Sequence, residues 1–155
     1  MAFRMINGIS YDLSIQMPDG GQIVLADWGV QPLWNTQTVR AFRNHNIFRL
    51  DQAGNVIWQV RRDEGEAFAN WARMRERAEA TNDDDIGTRS PFLYLWLQYA
   101  NGATNYDYEA HAYPEHAQWV DGAKIWCSTL DARQYVLDPE TGVAVCMTPV
   151  GIREW

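Results

Sequence analysis

Two cysteines, three histidines and a single lysine (Lys124) leave this 155-residue chain with few reactive side chains. Cys127 and Cys146 form no CxxC pair, and no His stands at zinc-finger spacing from them, which argues against a dithiol redox site and a zinc module. Both read as buried free thiols, a bridge between adjacent strands being the alternative. No stretch approaches the ~20 apolar residues of a membrane span. The first eight residues, Met1 to Gly8, lack the apolar core of a secretory leader. A cytoplasmic, reduced setting is therefore expected. Gly/Ser linkers and low-complexity tracts are also missing, so residues 1–155 read as one domain. Nucleophile elbows and phosphate-cradling loops are absent, since Gly20-Gly21 falls in a hairpin turn and not before a helix.

Positive charge is scarce in one half only. Residues 1–80 carry nine Lys/Arg against nine Asp/Glu, whereas residues 81–155 carry four against eleven, which accounts for the net charge of −7. That field repels nucleic acid and anionic membrane, and suits a basic protein partner or simple solubility. What the chain has in excess is tryptophan, with eight residues in a composition that is 46% hydrophobic. Rings of that size build cores, and surplus ones anchor interfaces.

Two segments echo each other. Phe48-Arg49-Leu50-Asp51-Gln52-Ala53-Gly54-Asn55-Val56 returns as Tyr135-Val136-Leu137-Asp138-Pro139-Glu140-Thr141-Gly142-Val143, one residue longer in its turn. Each is an apolar strand end, a turn-capping Asp, a Gly free to take positive φ, and a β-branched restart. Similar signals predict a hairpin from Ile9–Gln16 to Gln22–Asp27, and one from Ile47–Leu50 to Val56–Arg61. Further strands follow at Phe92–Tyr99, turning at a type I′ signature, Asn101-Gly102, into Thr104–Ala112. Gln118–Val120 is expected to turn into Ala123–Thr129, and Gln134–Leu137 into Val143–Met147. Between them, Phe68, Trp71, Met74 and Ala78 draw one apolar stripe, predicting an amphipathic helix over about 64–80. The expected fold class is α+β, an antiparallel meander of hairpins with that helix packed on the sheet.

The run Trp126-Cys127-Ser128-Thr129-Leu130-Asp131-Ala132-Arg133-Gln134-Tyr135-Val136-Leu137-Asp138-Pro139-Glu140-Thr141-Gly142 resembles half a blade of the PQQ-like β-propellers. There an aromatic-small strand passes through an Asp-containing turn into a Tyr-x-Leu-Asp-x-x-Thr-Gly hairpin, and Phe48–Trp58 is a weaker shadow of it. The resemblance implies hairpin geometry alone. A propeller needs at least four blades of ~40 residues, so no quinone, calcium or dehydrogenase activity is implied, and no cofactor is expected.

Alternation in Tyr106 to Ala112 would put Asp107, Glu109 and His111 on one strand face, with Glu115 and His116 just beyond. Such a face offers acid/base or metal-binding groups, or is the solvated side of a sheet. Asp83, Asp84 and Asp85 read as a solvated acidic loop or an acidic contact, lacking the spacing of an EF-hand. The strand Phe92–Tyr99 is apolar on both sides, with Phe92, Tyr94 and Trp96 on one face and the leucines on the other, facing the helix. Tyr94 and Trp96, with Trp34 in the long aromatic connection from Trp28 to His45, are then free to anchor a partner. The expected function is an acidic protein-binding module that neutralises a basic protein by occlusion, in the manner of an immunity protein or a phage-type inhibitor. Two alternatives stand beside it: an enzyme or a glycan- or metal-binding domain using Asp107, Glu109 and His111, and a self-associating subunit of a larger assembly.

Overall fold

Turn chemistry sets the frame of this molecule, and among the described residues five glycines with φ between 77° and 88° mark its turns. The computed structural model describes residues 4–6, 9–26, 45–63, 76, 91–130 and 132–148. Among these lie eleven strands: β1 (Arg4–Ile6), β2 (Ile9–Gln16), β3 (Gln22–Ala26), β4 (Ile47–Leu50), β5 (Val56–Gln59), β6 (Arg61–Asp63), β7 (Phe92–Gln98), β8 (His116–Gln118), β9 (Lys124–Thr129), β10 (Gln134–Leu137) and β11 (Val143–Cys146).

Three tight turns share one pattern. Gly20, Gly54 and Gly102 each donate their N–H to the carbonyl three residues earlier, on Met17, Asp51 and Tyr99. Those same three residues donate back to the carbonyl following the glycine. This is a type I turn closed by a left-handed residue. The type I′ reading of Asn101-Gly102 is thereby corrected, because only Gly102 has positive φ. Thr129–Arg133 makes the same two bonds, but with Ala132 in the left-handed position at φ 68°. A Cβ there is strained by ~1–2 kcal/mol, partly offset by the larger chain entropy of glycine when unfolded. Ala132→Gly should therefore stabilise the protein by about 0.5 kcal/mol, seen as a higher urea midpoint at unchanged slope.

The strands form two sheets. The first runs β1-β2-β3-β4-β5, with β8 also pairing to β2; the second runs β6-β11-β10-β9-β7. Two pairings are parallel, β2 with β8 (Ser14 beside His116) and β6 with β11 (Arg61 beside Val143). The expected α+β meander on a single sheet is thus corrected to a two-sheet, mixed β architecture. No helix packs on either sheet among the described residues, where Glu76 alone has helical backbone; the rest of the stripe predicted over 64–80 lies outside them. Likewise, no helix among the described residues is long and apolar enough to cross a membrane. The predicted hairpin of Gln118–Val120 with Ala123–Thr129 is corrected too: β8 pairs with β2, and β9 with β7 and β10.

The sheets face each other across one core and meet at two corners. Ile15, Ile23, Leu25 and Ile47 of the first pack against Leu95, Leu97, Ile125, Tyr135 and Leu137 of the second. At one corner the chain itself crosses over: β5 passes through buried Val60 into β6, and the Arg61 N–H donates to the Gly142 carbonyl. At the other, fully buried Asn46 donates through Nδ2 to the carbonyls of Ala26 (3.1 Å) and Phe92 (2.9 Å), while its Oδ1 accepts from Phe92 N (2.9 Å). The first sheet is buried on its other face as well, where Val24, Phe48 and Leu50 form a second cluster.

The echoing segments come together in space. Arg49 and Trp58 sit side by side across β4 and β5. Arg49 Nη1 (2.7 Å) and Trp58 Nε1 (2.9 Å) both donate to the Pro139 carbonyl in the second turn. Arg49 Nη2 also reaches Asp19 Oδ2 at 3.1 Å. The Gly21 N–H, with Arg49 behind it, holds the Asp19 carboxyl below its usual range. The predicted hairpin of Gln134–Leu137 with Val143–Met147 is present as β10 and β11, and its turn forms one side of this corner.

Cys127 is fully buried and Cys146 half-buried. Both are register partners of Tyr135, on opposite sides of β10. Two strand spacings of ~4.8 Å separate them by more than the ~7 Å that a disulfide spans. Burial pushes the Cys127 thiol far above its ordinary value, so it is inert as a nucleophile.

Candidate binding surface

The outer face of the second sheet is set by a bulge in β7. Register shifts between Phe92 and Tyr94, so Phe92 turns inward with Leu95 and Leu97 while Tyr94 and Trp96 point out. This corrects the expected grouping of Phe92 with Tyr94 and Trp96, and it turns the leucines toward the first sheet and not toward a helix. Across the outer face, Trp96 pairs with Trp126, Trp126 with Val136, Val136 with Val145, and Val145 with Asp63. Beside that apolar row runs a wetter one, Tyr94 with Ser128 and Ser128 with Gln134.

An aromatic array covers one end of this face. Trp96 lies nearly parallel to Trp126, with centroids 6.2 Å apart and 12° between planes. Tyr113 stacks on Trp96 at 5.1 Å and 15°. Tyr106 then meets Tyr113 edge-on at 5.0 Å, and Tyr108 at 4.9 Å. Offset and edge-on contacts of this kind each add ~0.5–1.5 kcal/mol beyond area burial. Trp126 is held from its rim, its Nε1 donating to Gln98 Oε1 at 3.0 Å. Burial raises the Tyr113 phenol above its ordinary value, with Tyr106 and Tyr108 adding to the shift. Solvent reaches the array at Tyr108, which is 79% exposed, while Trp96 is only 8% exposed; Tyr94, two residues before Trp96 on β7, is 52% exposed.

The segment expected to be a strand, Thr104–Ala112, is a turn with a single bridge at either end, Gln98 to Thr104 and Asp107 to Ala112. The Asp107 carboxylate is responsible, since Oδ1 accepts from Glu109 N (2.9 Å) and Ala110 N (3.1 Å) and curls the chain. Asp107, Glu109 and His111 therefore share no strand face, although all three are exposed. No group of three His, Cys, Asp or Glu that could hold a metal comes together among the described residues. His116 is taken up elsewhere, its Nδ1 2.8 Å from Ser14 Oγ where β8 joins β2.

Of the residues picked from the sequence, the structure places Tyr94 and Trp96 on this face and Asp107, Glu109 and His111 at its border. Trp34, Asp83, Asp84 and Asp85 lie outside the described residues. Sequence reasoning missed Tyr108, Tyr113 and Trp126 as members of the surface. For the two tyrosines the signal was the density of tyrosine between 99 and 113; alternation had set Tyr106 and Tyr108 on the face opposite Asp107, Glu109 and His111. No family model, no curated protein and no solved structure matches this chain.

Proposed function

We propose that the chain is an acidic protein-binding module that inhibits a protein partner by covering it, and that the partner is basic. One observation carries this reading: an aromatic array that ends on exposed Tyr108, on a face where Tyr94 is exposed as well, both tyrosines lying in a stretch of sequence that holds carboxylates and no Lys or Arg. No residue from 90 to 123 is Lys or Arg, while Asp107, Glu109, Glu115 and Asp121 all fall there. Uncompensated negative charge steers a positive partner and raises its rate of encounter, and tyrosines then supply desolvated anchor area at low entropy cost. The proposed setting is the cytoplasm, which suits a buried Cys127 kept as a thiol.

The test is affinity capture from lysate of the native host, using the whole chain and a Tyr94→Ala/Tyr108→Ala variant. The expected result is one stoichiometric basic protein, held at low salt and weakened at high salt. The variant should hold it at least tenfold less tightly, since each anchor is worth ~1–2 kcal/mol. A partner held equally by the variant, or no partner at either salt, would overturn the reading.

A further inference from the structure

Resting on that reading, the geometry points to residues 107–112 as a preformed finger that enters a concave site rimmed by Lys and Arg on the partner protein. The finger is a closed four-residue hairpin. Asp107 N donates to the Ala112 carbonyl (2.9 Å), and Ala112 N returns to Asp107 (3.3 Å). His111 completes the turn at φ 53°, a left-handed conformation that His adopts more readily than most residues.

Its root is fixed on both sides. Asn105 clasps the edge of β7, its N–H donating to the Leu97 carbonyl (3.2 Å) and its Oδ1 accepting from Leu97 N (3.1 Å). Tyr113 is stacked on Trp96, and Tyr106 stands edge-on between Tyr113 and Tyr108. Beyond that root every residue from 107 to 112 is exposed. An aromatic ring held out in water on an ordered turn has already lost the entropy that binding would otherwise consume, ~0.5–1.5 kcal/mol for each side chain immobilised.

Shape and charge select the occupant. A projecting tip buries its ring only in a depression; a flat partner would meet Tyr94 and the sheet face instead. Asp107 and Glu109 lie in the finger itself, and no Lys or Arg falls between residues 90 and 123, so a cleft of positive potential fits and an acidic one is rejected. Filling such a cleft is also a direct way to block whatever enters it.

The experiment places the photo-crosslinker p-benzoylphenylalanine at position 108, 94 or 57 of the full chain and irradiates each in lysate of the native host. Ile57 is exposed on β5, at the edge of the other sheet, and serves as the off-surface position. The expected result is a position-108 adduct with one partner, mapped to the wall of a depression with Lys or Arg at its rim, and none from position 57. Glu109→Lys should then weaken capture of that partner at least tenfold while leaving the melting temperature in place. Adducts from 94 but not 108, or a position-108 adduct on a flat or acidic surface, would sink the finger and leave the binding reading standing. Adducts from neither 94 nor 108 would sink both.

Discussion

Asn46→Leu should lower stability by about 4 kcal/mol, the largest effect expected from any single change in the fold. The side chain is 0% exposed and serves three backbone groups at once, the carbonyls of Ala26 and Phe92 and the N–H of Phe92. Leucine fills much of the volume but leaves all three groups buried without partners. Each such orphan costs ~1–3 kcal/mol, and the whole domain has only ~5–15 kcal/mol to lose. Urea unfolding should show the midpoint fall steeply with little change in slope. N46D sharpens the test, because a carboxylate there would face two carbonyl oxygens. Burial raises the pKa of such a group in the folded state, so the folded form binds more protons and the variant regains stability as pH falls. A loss under 1 kcal/mol for Asn46→Leu would mean that the sheets are joined at this corner by something else.

Gly142→Ala is the second severe change, expected to cost about 3 kcal/mol. A Cβ at 142 would stand 2.6 Å from Trp58 Cδ2, and the backbone there has φ +77°. The left-handed conformation accounts for ~1–2 kcal/mol and the clash for the rest. Trp58 has little freedom to retreat while its Nε1 is bonded to Pro139. In a Trp58→Leu background the same substitution should cost only the conformational part, so a double-mutant cycle should return a coupling of about 1–2 kcal/mol. Equal costs in both backgrounds would show that the ring is not what excludes a side chain at 142.

Local chemistry was legible in the sequence and distant pairing was not. Gly20, Gly54, Gly102 and Gly142 marked turns correctly, because positive φ is a property of one residue and its nearest neighbours. The strands beside them followed within a residue or two, except Thr104–Ala112 after Gly102, which is a turn. Parallel pairing leaves no such mark. Nothing in Arg61-Arg62-Asp63 distinguishes a strand laid along Val143–Val145 from the tail of a hairpin. Arg62 is the clearest case: a charged residue that reads as surface is 6% exposed, with its guanidinium 4.4 Å from the Phe92 ring centroid and Nη1 3.2 Å from the Tyr135 hydroxyl. The candidate surface was half legible. Tyr94 and Trp96 announced themselves by pattern, although the bulge at Leu93 reassigned Phe92. The finger was hidden because Tyr-Asp-Tyr-Glu-Ala-His alternates like a strand, and only the Asp107 carboxylate, bonding locally, decides for a turn. Asn46 was hidden as well, since an asparagine at a strand entrance looks the same whether it meets water or a second sheet.

The pairing of Ser14 with His116 spans 102 residues, and that separation bears on how the chain is made. Residues emerge from a ribosome at roughly 5–20 per second. The outer edge of β2 beside Ser14 therefore waits on the order of ten seconds for the strand that closes it, far longer than the microseconds in which a hairpin forms. Throughout that interval an apolar strand edge stands ready to pair with another nascent chain. Yield on rapid overexpression should therefore track the speed of elongation between Gln16 and His116 more closely than it tracks the stability of the finished protein.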